Sequence, residues 1–476
     1  MVANKYDAIV IGGGPGGYTA AIRLGQLKKK VVCIERERLG GVCLNWGCMP
    51  SKALLHVGEV ITAAHDLKEM GVEFGEPRID LASLNKWKSK MIDDLVNGVG
   101  TLFKANKVEY MVGEAELINK ITVRVKKADG RFETLVGDAV VIATGSEPVA
   151  LPGFKRDSKT ILNSDDAVSL ADLPKSILIL GAGVIGLEFA TIYRRLGAEV
   201  TVVEMLDRAL ADTDLEISTL LLRILKKQGI NVHLKTKAAG VEVVGSRARV
   251  KLEGEINEAR EYDKVLVAVG RRPRTGDLRP ESLGIAMDGL FIKVNEKRES
   301  DVPGVYAIGD CAGAPLLAHK AMKEGIVAAE VIAGLPAAYD PIAVPNCVYT
   351  DPQVATVGLS EEQAKSAGYE VSVGKFRLSA LGRARTVGIS DGMVKIVADK
   401  KTDLVLGVHI VSPTAESMVA EGVVALEMGA TVEDIGLSIH PHPTFSESIM
   451  EAAEALHGKS IHMANVTAPI PTPAKT

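Results

Sequence analysis

Two segments of this 476-residue chain carry the same pattern at the same spacing, and that duplication restricts the fold more than any other feature. Near the start, DAIVIGGGPGG (7–17) is an apolar run that closes on Gly12, Gly14 and Gly17. A helix-like stretch follows, YTAAIRLGQL, then a second apolar run, VVCIE, ending at Glu35. Later, SILILGAGVIG (176–186) closes on Gly181, Gly183 and Gly186, continues into LEFATIYRRLG, and reaches EVTVVE, ending at Glu204. In both copies the acid stands 18 residues after the last glycine. Each part has a physical job: the first glycine makes a tight turn, the second lets backbone approach a pyrophosphate, and the third lets helix pack on strand. The helix N-terminus then faces the phosphates and the acid can hold ribose hydroxyls. One bare glycine pattern is weak. Strand before, helix after, an acid in place and a repeat of the whole unit predict an α/β chain with two Rossmann-like dinucleotide-binding domains.

Glu204 also bears on which dinucleotide the second copy takes. A carboxylate accepts from a 2′-hydroxyl and repels a 2′-phosphate, so NAD is expected over NADP. Arg208 follows in MLDR, but four residues further on.

The stretch GGVCLNWGCMPSK (40–52) holds Cys43 and Cys48. On an ideal helix, positions five apart lie roughly 8–9 Å from one another. A disulfide needs Cα atoms within about 7 Å, so a bridge here requires a loop or a distorted helical turn. Gly40, Gly41, Asn45 and Gly47 permit one, and Pro50-Ser51 suits a helix start. Such a bridge would be strained and reducible. Zinc would need two more ligands, and only His56 follows, at a poor spacing, so no metal site is expected. From the residues alone the choice lies between a redox pair and two buried thiols. Two dinucleotides beside a pair able to open and close suggest an electron relay, with a flavin as its middle member.

Bulk properties exclude several classes. The length calls for about two to four domains. A net charge of −4 gives no basic field for nucleic acid or anionic membranes, and no apolar run could span a bilayer. The N-terminus enters a strand pattern almost at once and leaves no room for a signal or transit peptide. Five cysteines, three of them scattered, do not make a secreted disulfide framework; Cys33, Cys311 and Cys347 read as packing residues. A cytoplasmic protein is expected, or one of an organelle matrix if a leader was removed.

Near the C-terminus SIHPHPTFSE (438–447) alternates His440 and His442 with prolines, which stiffen the loop. Imidazole titrates near working pH and suits a base, and a carboxylate on its far nitrogen would orient it. Either histidine could serve, and either could equally be structural.

These motifs, with VVIATGSEP, AVGRRP, GVYAIGD, LAHKA and EALHGKSIH, resemble the pyridine nucleotide-disulfide oxidoreductase family over roughly residues 5–463, and within it the branch that oxidises dihydrolipoyl groups. The resemblance implies an FAD domain (1–146), an NAD domain (147–275), a central domain completing the FAD site (276–346) and a C-terminal α+β dimerisation domain (347–476), with a disordered tail after about 463. It assigns FAD to Gly12, Gly14, Gly17 and Glu35, with Ala115 at the adenine, Asp310 at the ribityl or pyrophosphate region, Ala318 near by and Lys52 beside the flavin ring. It assigns NAD to Gly181, Gly183, Gly186, Glu188, Glu204, Gly270 and Arg271, with Glu188 pairing Lys52. Cys43 would exchange with substrate and Cys48 would contact the flavin. His442 becomes the base and Glu447 its partner. By the residues alone, Asp310 reads equally as a helix N-cap, and Lys52 and Glu188 read as solvated helix charges.

The implied activity is oxidation of dihydrolipoyl groups on a lipoylated carrier or lipoyl domain with reduction of NAD+, in a homodimer whose active sites are shared. Glutathione- and trypanothione-type relatives would want arginines where Glu204 stands. Mercuric-type relatives carry a C-terminal cysteine pair that is lacking here, and transhydrogenases of the family lack the Cys43–Cys48 pair. A non-catalytic docking subunit would not need complete fingerprints. Nothing in the sequence selects which lipoyl-dependent complex is served.

Overall fold

The computed structural model describes residues 4–464 apart from Arg279, so the expected tail disorder falls outside the described residues. The chain forms two compact units: Met1–Leu173 with Leu266–Asp340, and Pro174–Val265 with Pro341–Thr476.

The first unit is built on β1 (Asn4–Ile11), α1 (Pro15–Gln26), β2 (Val31–Glu35), α2 (Gly41–Asn45), α3 (Cys48–Asp66), α4 (Leu81–Ala105), β3 (Glu109–Val112), β4 (Glu114–Asn119), β5 (Thr122–Lys126) and β6 (Phe132–Ile142). The sheet runs β3-β2-β1-β6-β5-β4. β1 lies parallel to β2 and β6, with Val10 opposite Cys33 on one side and Val141 on the other. Buried on both faces, β1 and β2 are continuous apolar runs rather than alternating ones. β6 has 11 residues and two partners. Its first half pairs antiparallel with β5, and its last three residues pair parallel with Val305–Ala307. The late segment thus completes the sheet that the first residues began.

In the second unit, Ser176–Leu180, Glu199–Val203 and Ile230–His233 lie parallel, with Thr201 opposite Leu178 and Asn231. The helix Val184–Arg195 joins the first two, repeating the β1-α1-β2 arrangement. A three-stranded antiparallel meander follows (Thr236–Val244, Arg247–Gly254, Glu258–Tyr262). The C-terminal part is a five-stranded antiparallel sheet, ordered Asn346–Val348, Gln353–Gly358, Val405–Ser412, Met393–Asp399, Val371–Arg377. Phe376, Ile396, Val408 and Ile410 pack with Val419 of helix Ala415–Met428 and with Ile449 and Ala452 of helix Glu447–Leu456. Lys395 sits in the middle of this sheet at 2% exposure, where its ammonium meets Asp214 at 3.0 Å and Glu361 at 2.8 Å.

Candidate functional site

The two glycine turns are built alike. Gly12 and Gly181 have φ of +108° and +104°, a region closed to residues with a Cβ. A Cβ on Gly17 would stand 1.9 Å from the Gly12 carbonyl oxygen, and one on Gly186 would stand 2.0 Å from that of Gly181, so helix packs on turn only with glycine there. The middle glycines are different: a Cβ on Gly183 would meet nothing within 4 Å. The room it leaves lies at a helix start with no capping side chain, as at Gly14. An open cradle, uncapped amide groups and a carboxylate at the neighbouring strand end fit a dinucleotide pyrophosphate and ribose in each unit. Glu35 receives the Gly13 N–H at 2.7 Å and Glu204 the Ala182 N–H at 2.8 Å. Arg208, the one basic group that the sequence offered to a 2′-phosphate, is held by Glu362 and the Thr213 carbonyl, both at 3.0 Å.

Cys43 lies in the short α2 and Cys48 opens α3, with the helical path broken at Trp46-Gly47. That is the distorted turn the spacing required. The helix begins at Cys48, two residues before the expected Pro50-Ser51 start, because Gly47 adopts a non-helical conformation that releases the turn earlier. Both cysteines are free thiols and hydrogen-bond to each other. That bond raises the Cys43 pKa well above the ordinary thiol value; burial adds to the rise, and Lys52 opposes it. Lys52 stands one helical turn after Cys48, so the ammonium and the thiol share a face. Tyr18 of α1 is raised by burial, and then by the negative potential of Cys43 and Cys48. The redox loop is seated on the first glycine turn: the Gly40 N–H donates to the Gly13 carbonyl at 2.8 Å. A Cβ on Gly41 would come within 2.7 Å of the Gly14 Cα, which is why a second glycine stands there.

The two histidines separate clearly. His440 has a side chain only 7% exposed; its Nε2 meets Glu421 at 2.8 Å and its Nδ1 meets the Ser438 carbonyl at 2.9 Å. The Glu421 bond is the main reason its pKa is raised, and both ring nitrogens are engaged. The His442 side chain is 75% exposed, with Nδ1 on Glu447 Oε1 at 2.7 Å. Glu447 Oε2 accepts the Thr444 N–H at 2.7 Å. Burial by itself would raise the Glu447 carboxyl, but the Thr444 amide and His442 outweigh it and hold it below the ordinary value. An ionised carboxylate thus orients one ring nitrogen and leaves Nε2 on the exposed side.

Residues 6–325 match the family described as pyridine nucleotide-disulphide oxidoreductase, and residues 344–453 match its dimerisation domain. This chain belongs to the pyridine nucleotide-disulphide oxidoreductase family. It is an enzyme, and by its second match a homodimer. Among curated relatives, "Dihydrolipoyl dehydrogenase" of Thermus scotoductus is 48% identical over 467 residues, covering 97% of this chain and 100% of that one. "Dihydrolipoyl dehydrogenase, mitochondrial" of Pisum sativum is 43% identical, covering 97% and 93%. Among solved structures, LpdA of Mycobacterium tuberculosis superposes with a TM-score of 0.87 at 26% identity, covering 95% of this chain and all of that one. Among the described residues no helix is long and apolar enough to cross a membrane, and no group of three or more His, Cys, Asp or Glu could hold a metal.

The remaining residues that the family resemblance singled out distribute as follows. Ala115 lies on β4, two residues after Gly113, whose N–H donates to the Glu35 carbonyl at 3.0 Å. Ala318 opens the helix Ala318–Ile332, which has no capping side chain. Asp310 lies within a 3-10 turn, Gly309–Cys311, and caps no helix; its carboxylate accepts the Ser146 hydroxyl at 2.5 Å. Arg271, expected on the NAD side with Gly270, falls with it in the first unit, where its guanidinium grips the Ser146 hydroxyl and carbonyl, each at 2.8 Å. Glu188 is 4% exposed, not a solvated charge, and accepts the Tyr349 N–H at 3.0 Å. Lys52 lies in the first unit and Glu188 in the second. Sequence reasoning missed Ser146, Tyr18 and Glu421. A lone serine after ATG, a tyrosine after a glycine turn and a glutamate in an apolar helix carry no spacing signal that would have found them.

Proposed function

We propose that this enzyme oxidises protein-bound dihydrolipoyl groups to lipoyl and reduces NAD+ to NADH, with FAD in the first unit and NAD in the second. The observation that carries this reading is the Cys43–Cys48 pair resting on the first glycine turn through the Gly40–Gly13 hydrogen bond. It puts a dithiol beside the place where the first dinucleotide would lie. The names of the curated relatives support the substrate, and the Glu204 acceptor with its tied-down Arg208 supports NAD. The segments 1–146, 147–275, 276–346 and 347–476 are taken as the FAD, NAD, central and interface parts, and the cytoplasm or an organelle matrix as the compartment.

In the oxidised enzyme, one substrate thiolate attacks Cys43 Sγ, forming a mixed disulfide and releasing Cys48 as a thiolate. His442 Nε2, supplied by the partner chain, takes the proton of the second substrate thiol. That sulfur then attacks the first, closing the lipoyl disulfide and expelling Cys43 Sγ, which recovers a proton from His442. Glu447 holds the imidazole in place and stabilises its charged form. Lys52, on the same face as Cys48, favours the anion there. When bound, FAD accepts the electron pair from the dithiol and returns it as a hydride to NAD+. The dithiol form seen here is the state that follows substrate oxidation.

The test is NADH formation by the purified protein with dihydrolipoamide and NAD+, then with a lipoylated carrier. A protein that reduces glutathione disulfide with NADPH, and is inert to dihydrolipoamide, would overturn the reading.

A further inference from the structure

We infer that Glu324 is a positioning residue for the flavin site, acting through the turn that presents Asp310; the inference rests on the reading that the first unit binds FAD. Glu324 is 0% exposed and still carries three charge-assisted or backbone contacts. Its Oε2 accepts the Gly309 N–H at 2.6 Å. Its Oε1 accepts from Arg298 Nη1 at 2.8 Å and from Lys320 Nζ at 3.0 Å. Lys320, itself 5% exposed, also donates to the Gly313 carbonyl at 2.9 Å. The cluster therefore grips the backbone immediately before Asp310 and again three residues after it.

The geometry points to alignment more than to bulk stability. A buried ion cluster is generally no more stabilising than apolar side chains of the same volume, but its hydrogen bonds fix direction. Gly309 has φ of +72°, a conformation that aims its amide at Glu324 and turns the next residue towards Ser146. The helix carrying Glu324 cannot drift from the first glycine turn. A Cβ on Gly325 would come within 2.5 Å of the Gly16 carbonyl oxygen, so the two helices meet backbone to backbone. Asp310 is thus held from behind by Glu324 through Gly309, and from the front by Ser146, which Arg271 holds in turn. Each link refers the Asp310 carboxylate to the same helix that bears the first glycine turn. Ala318, at the start of the Glu324 helix, is set by the same anchor.

The test is a double-mutant cycle on FAD affinity, measured by titrating apoprotein with FAD and following quenching of flavin fluorescence, with thermal melting of each apoprotein as a control. Glu324→Gln should weaken FAD binding by about tenfold, the size of one lost charge-assisted hydrogen bond. Asp310→Asn should also weaken it. The double variant should bind no worse than the weaker single, because both changes act through one carboxylate. Additive losses, or wild-type affinity in Glu324→Gln, would overturn the inference. Unchanged FAD affinity in Asp310→Asn would overturn the reading of the site itself, and the inference with it. Should Glu324→Gln fail to fold, Arg298→Gln removes one partner from the rim and carries the same cycle with the same outcomes.

Discussion

Glu35 and Glu204 do the same thing in two different sheets. Each accepts the amide of the middle residue of its glycine turn on one oxygen, Gly13 at 2.7 Å and Ala182 at 2.8 Å. Each accepts the amide two residues further on, Glu37 and Leu206, on the other oxygen, both at 2.9 Å. A carboxylate has about four lone-pair sites, so two backbone donors fix its orientation and leave capacity for two ribose hydroxyls. The sheet ends are therefore ready acceptors before any ligand arrives.

Glu204→Gln should narrow the preference for NAD over NADP chiefly by weakening NAD. The kcat/KM for NAD should fall by about tenfold, the loss of one charge-assisted hydrogen bond. The kcat/KM ratio of the two cofactors is the measurement. A wild-type ratio near one would mean that Glu204 does not meet the 2′ position.

Cys43→Ser and Cys48→Ser should each abolish dihydrolipoamide oxidation and keep FAD bound. The Cys43→Ser protein retains the Cys48 thiol, which should show a long-wavelength charge-transfer band with bound flavin as it ionises. Cys48→Ser should show none. The opposite assignment of the band would exchange the two roles.

Sharing of sites between subunits has a direct assay. Cys43→Ser and His442→Gln homodimers should both be inactive, the latter reduced by about a hundredfold or more for want of its base. A mixed dimer of the two, purified through different tags, contains one site with intact cysteines and intact histidine. It should recover about half the wild-type activity if the sites are independent. A mixed dimer that stays inactive with FAD bound would mean that each chain supplies its own base.

The Lys395 cluster should make the fold acid-sensitive. Hydrogen bonds from Lys365 and then Lys395 pull the Glu361 carboxyl from 4.5 to about 2. Burial would raise Asp214, but Lys395 holds it below the ordinary value. Carboxyls with a depressed folded pKa add stability above their unfolded value and lose it as pH falls through the folded one. Melting temperature should therefore drop between pH 4.5 and about 2. Lys395→Met leaves Asp214 buried at 2% exposure without its cation and should cost about 3–5 kcal/mol at neutral pH. It should also flatten the acid limb of the profile. A melting temperature independent of pH over that window in the wild type would show that the cluster contributes nothing.

Much of the site was readable because its requirements are local. A turn that must admit a left-handed residue, and a helix that must pack on that turn, can be built only with glycine at Gly12, Gly17, Gly181 and Gly186. The 18-residue spacing to each acid is the length of one helix and one strand. Glu447, five residues after His442, was legible for the same reason. Where the reading was incomplete, the deciding contact is distant in sequence: Glu188 looks solvated until Tyr349 reaches it, and Arg271 until Ser146 does.

The sequence by itself determined two dinucleotide folds, a reducible thiol pair and an acid–histidine dyad, because steric exclusion and short-range spacing act within one turn or one strand–helix unit. Only the tertiary structure decided that the thiol pair rests on the first glycine turn, through Gly40 and Gly13. Only it brought Val305–Ala307 beside β6 to complete that sheet, and surrounded Glu324 with Arg298, Lys320 and the Gly309 amide. These are hydrogen bonds and strand pairings between distant segments. Buried polar groups must find partners wherever packing brings them, and no periodicity in the chain records which partner that is.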